Sequence, residues 1–133
     1  MTLAAIAILG GFALLVLSAC QSLSEKRQEN LLQDTLRHYE ATLRWGDLSQ
    51  AQGFGSAGQE PAAQALIPDL RITRYQVVQG PSLVDPYQAV QIVAIEYVFE
   101  STQQVREIVD QQVWRYDPQA ESWSRISPFP QFR

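Results

Sequence analysis

The spacing of apolar and polar positions changes several times along this chain, and each change predicts an element. Met1 to Ala19 carries no charged residue and is mostly Ala, Ile, Leu, Gly and Val, with Glu25 the first charge. Gln21 to Gln28 is polar and reads as a short tether outside any core. Leu32, Leu36, Tyr39 and Leu43 then recur at spacings of four, three and four, which makes one apolar stripe on a helix. Leu31 widens the stripe, while Glu29, Asp34, Arg37, Glu40 and Arg44 mostly populate the outside. Gly46 is expected to end the helix as a left-handed C-cap. Asp47 should cap a second short helix, with Gln50 completing a capping box and Leu48, Ala51 and Phe54 buried. After a break from Gly53 to Gly58, Pro61 opens a third helical turn through Leu66, and Pro68 ends it.

Beyond Pro68 the pattern turns to strands. Arg71 to Gln79 is rich in Ile, Thr, Tyr and Val, and Gly80-Pro81 opens a loop that runs to Tyr87. Gln88 to Ser101 alternates, with Ala89, Val93, Ile95, Tyr97 and Phe99 on one face and Val90, Ile92 and Val98 on the other. Apolar residues on both faces indicate a central strand, with Gln91, Glu96 and Glu100 where coverage thins. Thr102-Gln103 reverses the chain into a strand from Gln104 to Tyr116. There Val105, Val109 and Val113 lie on one face and Ile108, Trp114 and Tyr116 on the other, so a bulge near Ile108-Val109 is expected. Asp117-Pro118-Gln119-Ala120 has turn chemistry, and Ser122 to Ser127 returns as a short strand with Trp123 and Ile126. Helices followed by four antiparallel strands make an α+β domain, a curved sheet wrapped on a long helix.

Two stretches resemble known families. Leu17-Ser18-Ala19-Cys20 resembles the lipobox that ends the signal peptide of bacterial lipoproteins, matching at all four positions. The resemblance implies cleavage before Cys20, diacylglycerol on its sulfur and usually a further acyl chain on the new amino terminus. An apolar run closed by small residues is what a signal peptidase accepts. No Lys or Arg precedes the run, which departs from the basic start of such peptides. The competing readings are a retained helix, for which Leu3 to Ala19 is barely long enough, and a merely buried thiol at Cys20. Gln21 after the cysteine implies an outer-membrane destination rather than the inner membrane. The expected organisation is a signal peptide over residues 1–19, a lipidated Cys20 with a tether to 28, one domain over 29–127, and a Pro/aromatic tail over 128–133.

The second likeness is Tyr39-Glu40-Ala41-Thr42-Leu43-Arg44-Trp45-Gly46-Asp47-Leu48, which resembles the opening of NTF2-like domains. There an aromatic, a Leu four residues later, Gly-Asp and a hydrophobic residue join the first two helices. The likeness covers roughly residues 28–126. It implies an NTF2-like cone, and the short interval from Phe54 to Leu70 suggests a shortened, cystatin-like version. Tyr39 falls on the position of the oxyanion-donor tyrosine of ketosteroid isomerases. Gly53 to Gly58 offers no carboxylate where their general base is expected, so no catalytic residue is assigned.

Charge and composition narrow the function classes. The net charge of −4 comes wholly from residues after the leader, and the ten basic residues are scattered among acids, so nucleic acid is excluded as a partner. One histidine and one cysteine leave no metal cluster, and no cofactor is expected. With Cys20 acylated no disulfide can form. Tyr39, His38 and Trp114 are the candidate lining of a pocket in the cone, although the preferred reading of Tyr39 is a core residue and that of His38 a helix flank. Glu96 and Asp110 are a candidate carboxylate pair across neighbouring strands, set against plain solvation. Phe129 and Phe132 either anchor a partner or fold back to close the sheet. The expected function is that of a membrane-anchored envelope lipoprotein with a non-catalytic domain that binds another protein. The alternative is a binder of a small apolar ligand, and an isomerase or dehydratase ranks last for want of a base.

Overall fold

A computed structural model describes the backbone of residues 2–56 and 69–133, with side chains from residue 19 onward in those ranges. The helical turn expected at 61–66, with the Pro68 that ends it, lies outside the described residues. Helix α1 (Thr2–Trp45) runs without interruption through the segment expected to be a tether. Polarity alone does not unmake a helix. From Phe12 to Trp45 there is neither Gly nor Pro, and Ser24-Glu25-Lys26-Arg27-Gln28-Glu29 is mostly good helix formers. The segment is also held: the Arg27 guanidinium donates to Glu121 at 2.8 Å, and the Trp123 indole donates to the carbonyl of Gln28 at 3.0 Å.

The expected stripe is the buried face of α1, with Leu32, Leu36, Tyr39 and Leu43 all closed from solvent. Gly46 ends the helix without entering the left-handed region. Its need is space, because a Cβ there would stand 2.8 Å from the Thr42 carbonyl oxygen. Asp47 caps α2 (Leu48–Gln52) by accepting from the Ser49 amide at 2.8 Å. That bond lowers its carboxyl from the ordinary value. Leu48 and Ala51 face the core.

Four antiparallel strands follow in the spatial order of the chain: β1 (Leu70–Asp85), β2 (Gln88–Phe99), β3 (Gln104–Asp117) and β4 (Ser122–Arg125). One face of this sheet packs Ile72, Ala89, Val93, Ile95, Tyr97, Trp114 and Trp123 on the α1 stripe. Residues 54–56 lie beside β4: Arg125 donates to Phe54 at 2.7 Å and Ser56 donates to Arg125 at 3.0 Å along the backbone. The molecule is thus α+β, a helix packed on an open four-stranded sheet.

Three strand expectations need correction. β1 does not stop at Gln79; it passes through Gly80-Pro81 with a register shift and ends in a hairpin turn at Pro86-Tyr87. Gly80 makes this possible with φ of 92°, where a side chain would be strained and a Cβ would meet the Val90 oxygen at 2.7 Å. β3 carries no bulge, since its register with β2 is continuous from Gln88↔Arg115 to Phe99↔Gln104. Its apparent slip arises because Asp110 and Gln112 are inside, between Ile108 and Trp114, while Val105 and Val109 stand out in solvent. Gln91 does not mark thin coverage either; it is 3% exposed.

Candidate functional site

The sheet face under α1 holds a connected polar cluster built on a charge pair. Trp114 pairs with Arg125 in the β3–β4 register, so an Arg125 side chain on the inner face can reach back along β3 to Asp110. The guanidinium meets the carboxylate with two parallel bonds, Nη2 to Oδ1 at 2.6 Å and Nη1 to Oδ2 at 2.9 Å. Nη1 also donates to the Tyr39 hydroxyl at 3.0 Å, Nη2 to the Pro128 carbonyl at 2.6 Å, and Nε to the Ser127 carbonyl at 3.3 Å. Arginine has five N–H donors, and all are engaged by protein atoms.

The cluster continues through side-chain amides. Gln112 donates to Asp110 at 3.0 Å and to the Tyr75 hydroxyl at 2.9 Å, and its oxygen accepts from Trp114 at 3.2 Å and Gln91 at 3.3 Å. Burial pulls the Arg125 guanidinium down, but its bonds to Asp110 and the field of Tyr39 more than offset this and leave it raised. Burial likewise pushes the Tyr75 hydroxyl up to about 12 and that of Tyr39 higher still. Both phenols are therefore neutral at physiological pH. Among the described residues the only buried side-chain polar atom lacking a partner is Nε of Arg44, whose Nη1 pairs with Glu40.

The three expected pocket residues separate. Tyr39 and Trp114 are fully buried with rings 5.3 Å apart, and Phe54 closes on Tyr39 at 5.5 Å. His38 points elsewhere, to the exposed flank of α1, with its ring edge on Phe54 at 5.5 Å. It lines a surface groove of about 420 Å³ with Asp34, Thr35, Gly53 and Ser124. Glu96 and Asp110 are not a pair. They lie on opposite faces of the sheet: Asp110 is inside, whereas Glu96 is outside, beside Thr73 and Arg74.

The tail is part of the fold. Phe132 is 1% exposed, packed on Tyr97 at 5.1 Å and on the half-buried Phe129 at 6.3 Å. The Tyr97 hydroxyl donates to the Arg133 carbonyl at 2.7 Å. As a partner anchor Phe132 would first have to leave the core; it folds back because its ring completes the open end of the sheet. Cys20 is exposed on α1.

Arg125, Gln112, Gln91 and Tyr75 were not among the sequence candidates. A signal existed: Asp110, Gln112 and Trp114 share one parity on β3, and Trp123, Arg125 and Ser127 share one on the return. Chemically this interior can clamp strands, helix and tail together. Tyr39, Gln112 and Trp114 are sealed from solvent within it, whereas Tyr75 is half-buried. Comparison with protein-family models finds no match, and comparison with curated proteins and with solved structures finds none either.

Proposed function

We propose that this chain is an envelope lipoprotein, cleaved before Cys20, acylated there and held at the outer membrane, whose α+β domain recognises another protein without catalysis. The observation that supports the non-catalytic part is the saturation of Arg125: a cationic group that served a substrate would keep a donor for it. Recognition is assigned to the sheet face turned away from α1, where Val105 and Val109 are 65% and 64% exposed. On that face the two valines flank Glu107, which pairs with Arg74, so the assigned surface mixes apolar side chains with charges, as binding faces commonly do. The lipid anchor rests on Leu17-Ser18-Ala19-Cys20 and on the solvent access of Cys20.

The test has two arms. Cys20→Ser should abolish incorporation of labelled palmitate, and continued labelling defeats the anchor. Crosslinking in the native envelope should capture a discrete partner through the wild-type domain and lose it in Val109→Glu. Undiminished capture by that variant, with normal folding, removes the assigned face.

A further inference from the structure

We infer that the end of the domain carrying the β1–β2 turn is a membrane-seating surface, which lies on the lipid bilayer beside Cys20. This rests on the reading of Cys20 as the acylated residue. It adds that the bilayer is in contact with the folded domain as well as with its acyl chains.

The first argument is the missing tether. Because α1 is continuous, Cys20 is fixed to the domain by a rod rather than a flexible linker. The first buried residue of the stripe is Leu32, twelve positions on, so about 18 Å of helix separates the two. The Arg27–Glu121 pair and the Trp123–Gln28 bond lock that rod against the β3–β4 end of the sheet.

The second argument is what lines the flank of α1 from Cys20 to Gln28, whose side chain donates to the Pro86 carbonyl of the β1–β2 turn. Cys20 shares a groove of about 480 Å³ with Leu23, Arg27, Tyr87, Tyr116 and Pro118. Across α1 a second groove of like size is lined by Leu83 and Pro86 together with Lys26 and Glu29. Leu23 is 70% exposed, Leu83 56%, Val84 57% and Tyr87 50%. These are four of the nine large apolar side chains that stand into solvent among the described residues. Leu23 and Tyr87 line the groove with Cys20, Leu83 lines the one across α1, and Val84 follows Leu83 on β1. The Tyr87 and Tyr116 rings lie parallel with centroids 6.5 Å apart, an aromatic pair with polar ends. Tyrosine favours the headgroup level of a bilayer, where its ring meets hydrocarbon and its hydroxyl meets water. Charges of both signs rim the end (Glu25, Lys26, Arg27, Asp85, Glu121), so apolar contact rather than attraction to anionic lipid is the driving term.

The test uses the full acylated chain in phosphatidylethanolamine–phosphatidylglycerol vesicles. Cys20 is the only cysteine, and as a thioether it cannot react, so one introduced cysteine can carry an environment-sensitive fluorophore. Leu83→Cys and Tyr87→Cys report the seating surface. Val105→Cys reports the other end of β3, roughly 30 Å away along the strands. Lipids spin-labelled at the headgroup boundary should quench most of the emission at 83 and 87 and little at 105. Equal, weak quenching at all three positions in a chain shown to carry palmitate overturns the seating surface and leaves the anchor standing. Failure of Cys20 to take up palmitate overturns both.

Discussion

Nη2 of Arg125 lies 2.6 Å from Oδ1 of Asp110, with the two side chains only 2% and 5% exposed. The pair joins β3 to β4 and, through Pro128 and Tyr39, to the tail and to α1. Removing one partner should leave the other charge buried and uncompensated. Asp110→Ala or Arg125→Met is therefore expected to cost about 3–5 kcal/mol in chemical denaturation. Asp110→Leu combined with Arg125→Met should recover most of that loss, since an apolar pair avoids desolvating two charges. Additive single and double losses would show that the pair does not act as a unit.

The tail gives a second measurement. Phe132→Ala empties a fully enclosed site and should destabilise the domain by roughly 3–5 kcal/mol. Deleting residues 128–133 also removes the carbonyl that Nη2 of Arg125 uses, so its effect should be at least as large. With about 4–8 °C per kcal/mol for a domain of this size, melting should fall by well over ten degrees. An unchanged melting temperature would mean that the tail is not seated on Tyr97.

Alkaline pH should reveal the buried phenols. The Tyr75 hydroxyl rises from 10.0 to about 12, so the folded state keeps its proton after the unfolded chain has released it. The Tyr75 contribution to stability should thus be level below pH 10 and fall as pH climbs through the interval up to 12, with a slope of about 1.4 kcal/mol per pH unit for each such group. Tyr39 adds to the same decline, because its hydroxyl is raised further. Denaturation midpoints measured across that interval check the sign. Tyr75→Phe should flatten the slope while lowering the plateau, because it leaves the Gln112 and Gln91 amides short of an acceptor.

Leu36 tests the helix face. It is 6% exposed at the centre of the α1 stripe, and Leu36→Ala should cost about 2–5 kcal/mol. Leu23→Ala, on the same helix but 70% exposed, should leave stability within about 0.5 kcal/mol of the wild type.

The α1 stripe, the Asp47 cap, the Asp117 turn and the α+β order were legible in the sequence, because each depends on neighbours within a turn or two. Leu32, Leu36, Tyr39 and Leu43 align on any helix, and Asp117 accepts from the Gln119 and Ala120 amides wherever the turn sits. Tertiary structure decided the rest. In the sequence Asp110 is set against plain solvation and Val109 stands on an apolar face beside an expected bulge, yet the carboxylate is buried and the valine is exposed. The reason is that Arg125, fifteen positions away, makes burial of the carboxylate favourable, and once Asp110 faces inward the pleat sends Val109 outward. Residues 21–28 seemed too polar to be structured, yet Trp123 and Glu121 from the far end of the chain hold them as helix. Such contacts leave no local periodicity, so only the folded chain could disclose them.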